Sequence, residues 1–262
     1  MHGFSSALWA ESLKAARSRV PFFTALGFAF IPLMGGVFML ILKDPEAARS
    51  MGLISTKARL SAGSADWSAY LGLLAQAAAV GGAFGFSVVA TWVFGREFSD
   101  HTVKELLAVP TSRLATVAAK FTVVAVWSLA LTAWMLALGL FIAHQVNMPG
   151  YSFTLLLTSL GHSAGAALLT VLLLPYVAIF ASIGRGYLLP FGWMILTVML
   201  AQLAAFMGWG DWFPWAIPAL FSGAAGPASA QLGVHSMLVV IAASLVGLVS
   251  TFTWWRDADQ TR

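Results

Sequence analysis

Six stretches of this chain run for twenty residues or more without an Asp, Glu, Lys or Arg: roughly Val20 to Leu42, Trp67 to Phe94, Phe121 to Ala143, Phe153 to Ile183, Tyr187 to Trp209 and Ser236 to Trp255. Crossing about 30 Å of hydrocarbon takes about 20 residues of helix, so each stretch is long enough to span a bilayer. Every window is apolar on all faces, and none alternates with the two-residue period of a barrel strand, so helices are the form expected where backbone groups find no water. The chain is therefore expected to be all-α, a polytopic membrane protein with six transmembrane helices and both termini on one side. Usage over the 262 residues agrees: 60% are apolar and 9% charged, with a mean hydropathy of +0.85, outside the range of soluble globular domains.

Lys and Arg in the connections set the orientation. With the N-terminus cytoplasmic, Lys14, Arg17, Arg19, Arg96, Lys104, Arg113, Lys120, Arg185, Arg256 and Arg262 fall inside, against Lys43, Arg49, Lys57 and Arg59 outside, which satisfies the positive-inside rule. Trp67 and Trp92 bracket the second span and Trp254 and Trp255 close the sixth, as an aromatic belt would. The first span follows a basic segment without a small-residue cleavage site and reads as a retained anchor. No cysteine is present, which excludes disulfides and thiolate metal sites, and no metal site is expected. The net charge of +4 is spread near the membrane surfaces, where it suits the lipid bilayer and anionic headgroups and does not form a nucleic-acid face. In residues 1–19, Trp9, Leu13, Ala16 and Val20 share one stripe and Glu11, Lys14 and Arg17 the other side, predicting a helix that lies in the cytoplasmic interface.

One dense run of charge separates the spans, from Gly95 to Lys120. Thr102 and Glu105 have the spacing of a capping box; Val103, Leu106 and Leu107 form an apolar patch at helical spacing, and Pro110 ends it. A short amphipathic helix is expected there, with Lys104 on its polar side. Thr111 or Ser112 then caps a second helix that carries Arg113 and Lys120 into the third span. A helix, a break and a helix held between two spans suit a contact with a soluble partner, although a solvated, well-capped connector has the same pattern.

Glu97, Thr102, Leu106, Leu107, Pro110, Ser112, Arg113 and Lys120 stand in the order E-x4-T-x3-L-L-x2-P-x-S-R-x6-K. This resembles the loop after the second span of ABC-2 type transporter permeases, most of all the branch with bacitracin and lantibiotic immunity permeases. The six-span layout extends the likeness more weakly over nearly the whole chain. His101 departs from it, since many members place glycine before the threonine. The resemblance implies a single permease domain over residues 1–262 whose coupling loop, residues 95–120, sits in a groove of a separate ATP-hydrolysing subunit. Thr102 to Val109 would dock, Glu97 would lie at the membrane end of the second span, and Arg113 and Lys120 would anchor the loop to Glu97, to headgroups or to the partner. ATP and Mg would be bound by the partner subunit, with no cofactor in this chain, and two permease subunits, expected as a homodimer, would enclose one pathway in a bacterial cytoplasmic membrane.

Two absences in the sequence fit an external energy source. There is no G-x4-G-K-[ST] phosphate loop, and the spans contain no Asp or Glu to carry a proton or sodium relay. An ATPase or another enzymatic activity is accordingly not expected of this chain. Residues 208–233 are rich in Trp and broken by Pro214, Pro218 and Pro227, too interrupted to span and too apolar for water, which predicts a re-entrant external hairpin between the fifth and sixth spans. In the resembling family a comparable element caps the exit of the pathway; an aromatic belt loop fits the same residues.

Within the spans, Gly81 with Gly85 and Gly161 with Gly165 have the spacing that lets helices approach closely. Gln76, Gln202 and His162 are the polar candidates for lining a pathway, the alternative for each being an internal hydrogen bond. Gly161 to Gly165 also reads G-x-S-x-G, which opens an enzyme alternative: Ser163 as nucleophile and His235 as base, as in rhomboid-type intramembrane proteases. Ala164 stands where rhomboids place glycine, which speaks against it. A non-transporting scaffold is the third class.

Overall fold

In a computed structural model, described for residues 2–44, 64–103, 111–223 and 232–257, the apolar windows are helices. In chain order they are α1 (His2–Arg17), α2 (Val20–Lys43), α3 (Trp67–Ser99), α4 (Arg113–Gln145), α5 (Phe153–Ile183), α6 (Leu188–Phe206), α7 (Ile217–Phe221) and α8 (Val234–Asp257). Six of them, α2 to α6 and α8, are long and apolar enough to cross a membrane. No strand occurs among the described residues.

Local chemistry fixes where the helices begin and end. Asp66 caps α3 by accepting from Ala69 N at 2.9 Å, and hydrogen bonds from the Ser64 hydroxyl and the Ala69 amide hold its carboxyl below the usual carboxylate range. Ser112 caps α4, its Oγ accepting from Ala115 N at 3.2 Å, as its position after Pro110 predicts. Three helices, α3, α4 and α5, close with His101, Asn147 and Arg185 in the left-handed region. At each, the next amide reaches back five residues, Thr102 N to Glu97 O at 2.9 Å, Met148 N to Ala143 O at 3.5 Å and Gly186 N to Ala181 O at 3.2 Å, satisfying carbonyls the helix end would orphan.

The expected span limits hold for α5 and fall short for α3 and α4. α3 continues through Gly95, Arg96 and Glu97 to Ser99, and α4 starts at Arg113 and not at Phe121. The charged residues there remain helical because they find partners inside the bundle. α3 also carries a π turn at Ala77–Gly81, where the run Ala-Ala-Ala-Val-Gly offers little side-chain bulk to hold the α register.

α5 is the hub, with α3, α4, α6, α7 and α8 packed on it, while α2 lies against α4 and α3 and α1 against α4. The central cluster joins Phe28 of α2, stacked on Phe86 of α3 at 5.6 Å, to Val117, Leu174 and Trp255. Polar groups in this core are satisfied across helices: Tyr70 Oη donates to Pro32 O at 2.9 Å, and Trp255 Nε1 to Ser182 Oγ at 3.0 Å. The glycine pairs separate. Gly81 and Gly85 face α2, where a Cβ on Gly85 would come within 2.3 Å of the Phe28 ring, and Gly165 makes room for Phe221 of α7, while Gly161 faces open space. These glycines admit aromatic rings, and backbones do not close on one another there.

Between α6 and α8, the described part of residues 208–233 turns back on the bundle. Ala216, Ile217 and Leu220 are buried, Ile217 packing with Leu169 and Leu173 of α5 and Val240 of α8, while Trp209 and Trp212 stay exposed.

Candidate functional site

At the α1 end of the bundle, four charges from three helices meet away from solvent. Lys120 of α4 is completely buried. Its Nζ donates to Glu97 Oε1 of α3 at 2.7 Å, to Val93 O at 2.8 Å and to Glu11 Oε2 of α1 at 3.0 Å. Lys14 of α1 donates to Glu11 Oε1 at 2.6 Å and to the same Glu97 Oε1 at 3.0 Å. Two carboxylates and two ammonium groups balance, and the three donors satisfy the whole Lys120 head group. Glu97 Oε2 is buried without a partner. Burial works against the Lys14 ammonium, but the Glu97 and Glu11 carboxylates outweigh it and hold its pKa above the ordinary lysine range.

Glu97 and Lys120 thus meet as their places at the two ends of the loop suggest, but Glu11 and Lys14 were read onto the wrong face. The buried stripe of α1 is Ala7, Glu11 and Ala15, and Trp9 points outward, 69% exposed. Small alanines one turn either side of Glu11 let α1 approach α4 closely enough for that carboxylate to reach Lys120. The signal in the sequence is faint: Glu11 is the only acidic residue before Asp44.

The loop leaves this cluster through a defined turn. Asp100 closes α3 with Arg96, whose Nε donates to Asp100 Oδ2 at 3.1 Å and whose guanidinium lies 5.1 Å from the Trp92 ring centre. His101 has φ 57°, a conformation that favours glycine, so the departure from the family pattern falls on the residue that pays most for it. Thr102 supplies its amide to Glu97 O, and Val103 is buried in the core cluster with Ala15 and Phe98. Lys104, Glu105, Leu106, Leu107 and Pro110 lie outside the described residues. Beyond them, Arg113 donates to Arg256 O of α8 at 3.4 Å, so among the described residues it meets the last turn of α8 and not Glu97.

The candidates for a pathway sit toward the other end. Gln76 of α3, His162 of α5 and Gln202 of α6 are all exposed on the surface of the bundle. The internal hydrogen bonds considered for them are not formed among the described residues. His162 makes an edge contact with the Phe221 ring, centroids 5.7 Å apart. Gln202 borders a cavity of about 60 Å³ between α3, α5, α6 and α7, and Gln76 directly precedes the π turn whose Ala79 and Val80 line that cavity.

Ser163 and His235 are not brought together. Ser163 is buried and donates to Ser159 O at 2.9 Å, whereas His235 Nε2 lies 2.9 Å from Asp211 Oδ2 and its ring stacks on Trp212 at 4.6 Å. A nucleophile whose proton is held by its own helix, with no base beside it, cannot be activated.

Comparison with known proteins adds two findings. The family model described as ABC-2 family transporter protein matches residues 7–203. The bacitracin transport permease protein BCRB of Bacillus licheniformis is 26% identical over 178 residues, covering 66% of this chain and 83% of the relative. No solved structure matches the chain.

Proposed function

The chain belongs to the ABC-2 transporter family and is a multi-pass membrane transporter subunit, and on that premise we propose that it is a permease driven by ATP hydrolysed on a separate subunit. That subunit binds ATP and Mg; this chain supplies no ATPase site. The α1 end faces the cytoplasm of a bacterial cell, α1 lies in the interface with Trp9 toward the headgroups, and two copies enclose the pathway. The whole chain works as one permease domain. Residues 208–223 cap the pathway on the outside, and Gln76, Gln202 and His162 line it. The cargo is a hydrophobic or peptide-like compound exported from the membrane; the apolar and aromatic walls and the relative named for bacitracin transport support a compound of that kind.

The observation that carries this reading is the buried cluster of Glu11, Lys14, Glu97 and Lys120. A loop that only joined two spans would need no such fixture. Here both roots of the loop, the end of α3 and the start of α4, are fastened to each other and to α1 by charges that cannot separate without leaving one of them unpaired in a dry site. A push on Thr102, Val103, Lys104, Glu105, Leu106, Leu107 or Pro110 therefore moves three helices together. Ser112 and Arg113 continue the contact surface, and Arg113 passes it to the end of α8.

The test is transport in vesicles reconstituted with the partner ATPase. Arg113→Glu, or proline in place of Leu106, is expected to leave ATP hydrolysis running while cutting transport at least 10-fold. Unchanged coupling in both variants, or transport by the permease without any ATPase, overturns the proposal.

A further inference from the structure

The cavity between α3, α5, α6 and α7 holds a polar group that the protein itself leaves unanswered. Trp193 Nε1 is buried and has no hydrogen-bond partner, although its indole is fixed on three sides. Phe180 lies at 4.4 Å, Trp215 meets it edge-on at 5.5 Å, and Tyr176 stacks at 5.7 Å. A buried donor without an acceptor costs about 1–3 kcal/mol, and such orphans in folded proteins call for an explanation. The cavity beside it measures about 60 Å³, more than the roughly 10–15 Å³ that a single water requires.

The other polar atoms on the wall are of one kind. Ser87 Oγ donates to Ala83 O at 2.6 Å, Thr170 Oγ1 to Ala166 O at 2.8 Å and Thr197 Oγ1 to Trp193 O at 3.0 Å. Each hydroxyl has spent its proton on its own helix, so each presents only lone pairs to the cavity. The site therefore offers one free N–H and several acceptors in an apolar, aromatic setting. The complementary ligand group is one that accepts and donates across a few atoms, and a secondary amide does both. An ester or ether would answer the indole alone, and a charged group would find no counter-charge.

We propose that this cavity is a binding subsite for a single amide group of the transported compound, accepting from Trp193 Nε1 and donating to the hydroxyl oxygen of Thr197, Ser87 or Thr170. The volume admits one such group with its nearest carbons and not a whole peptide, so the remainder of the ligand lies past Gln202, on the exposed face of α6. The significance of the subsite rests on the permease reading above; its existence does not.

The experiment uses full-length protein in lipid nanodiscs with nitrogen-15 in its tryptophans, the Trp193 indole resonance being the one lost in Trp193→Phe. N-methylacetamide, methyl acetate and 2-methylbutane are titrated in turn. The amide is expected to shift that resonance saturably and to bind several-fold more tightly than the ester, with the hydrocarbon weakest. Trp193→Phe should weaken amide binding about 10-fold. Thr197→Val keeps shape and the Trp193 signal while removing one acceptor, and should narrow the gap between amide and ester. Equal binding of all three probes, or an indole resonance that exchanges with water and ignores the amide, overturns the proposal, since water alone then fills the cavity. Binding is read without the ATPase, so a preparation that binds the amide but moves nothing counts against the permease reading alone. One that transports yet ignores the amide counts against the subsite alone.

Discussion

Lys120 is an ammonium with no solvent and three oxygen partners, so its removal leaves Glu11 and Glu97 competing for Lys14. Breaking a buried pair in this way costs about 3–5 kcal/mol, and Lys120→Met is expected to lower thermal stability in detergent by that order. Adding Glu11→Gln should recover part of the loss, because residues in one network do not act additively; a strictly additive double variant would show that the two do not interact. His101 makes the opposite prediction. An L-residue held at φ 57° pays about 1 kcal/mol that glycine does not, so His101→Gly should raise the unfolding midpoint by a few degrees. The Glu97 to Lys120 pairing and the Ser112 cap were legible because spacing and capping chemistry are local. Glu11 was not, since a helical wheel shows which residues share a face but not that a buried cation waits opposite. For the same reason Gln76, Gln202 and His162 could be named as polar but not as surface-facing, a fact that depends on neighbours in three dimensions.

Helices were the easiest things to read here, since hydrophobic length decides them, and α5 falls on its expected limits. The inner ends of α3 and α4 were missed because charge was taken as the end of a span, whereas Glu97 and Lys120 neutralise each other and let both helices run on. The π turn had no signal beyond its small residues. Glycine spacing marked close packing correctly in α3 but not its mechanism. Phe28 is pinned by its stack on Phe86, so it cannot yield to a new methyl at Gly85, and Gly85→Ala should cost about 1–3 kcal/mol through overpacking. Gly161→Ala, with nothing within 4 Å of the added carbon, should stay within about 0.5 kcal/mol of the parent. Comparable losses at both positions would contradict the arrangement of α2 on α3.

For the molecule as a whole, six spans and the family were both readable before any coordinates, from hydrophobic length and one loop pattern. Residues 104–110, the heart of that pattern, lie outside the described structure. The absence of cysteine makes the proposed orientation directly testable, because any introduced thiol is the only one. In intact cells a membrane-impermeant maleimide should label Trp212→Cys and spare Asp100→Cys until the membrane is opened; the reverse pattern would turn the protein over. The three longest helices, α3 at 33 residues, α4 at 33 and α5 at 31, would extend about 45–50 Å if straight, more than the hydrocarbon demands. A long rod bends where its winding is loosest, and in α3 that place is the five-residue widening at Ala77–Gly81, whose Ala79 and Val80 wall the hollow beside Trp193. Torque arriving at one tip is thereby spent as flexure beside the indole, so the hollow's dimensions become a gauge of what happens at the far tip.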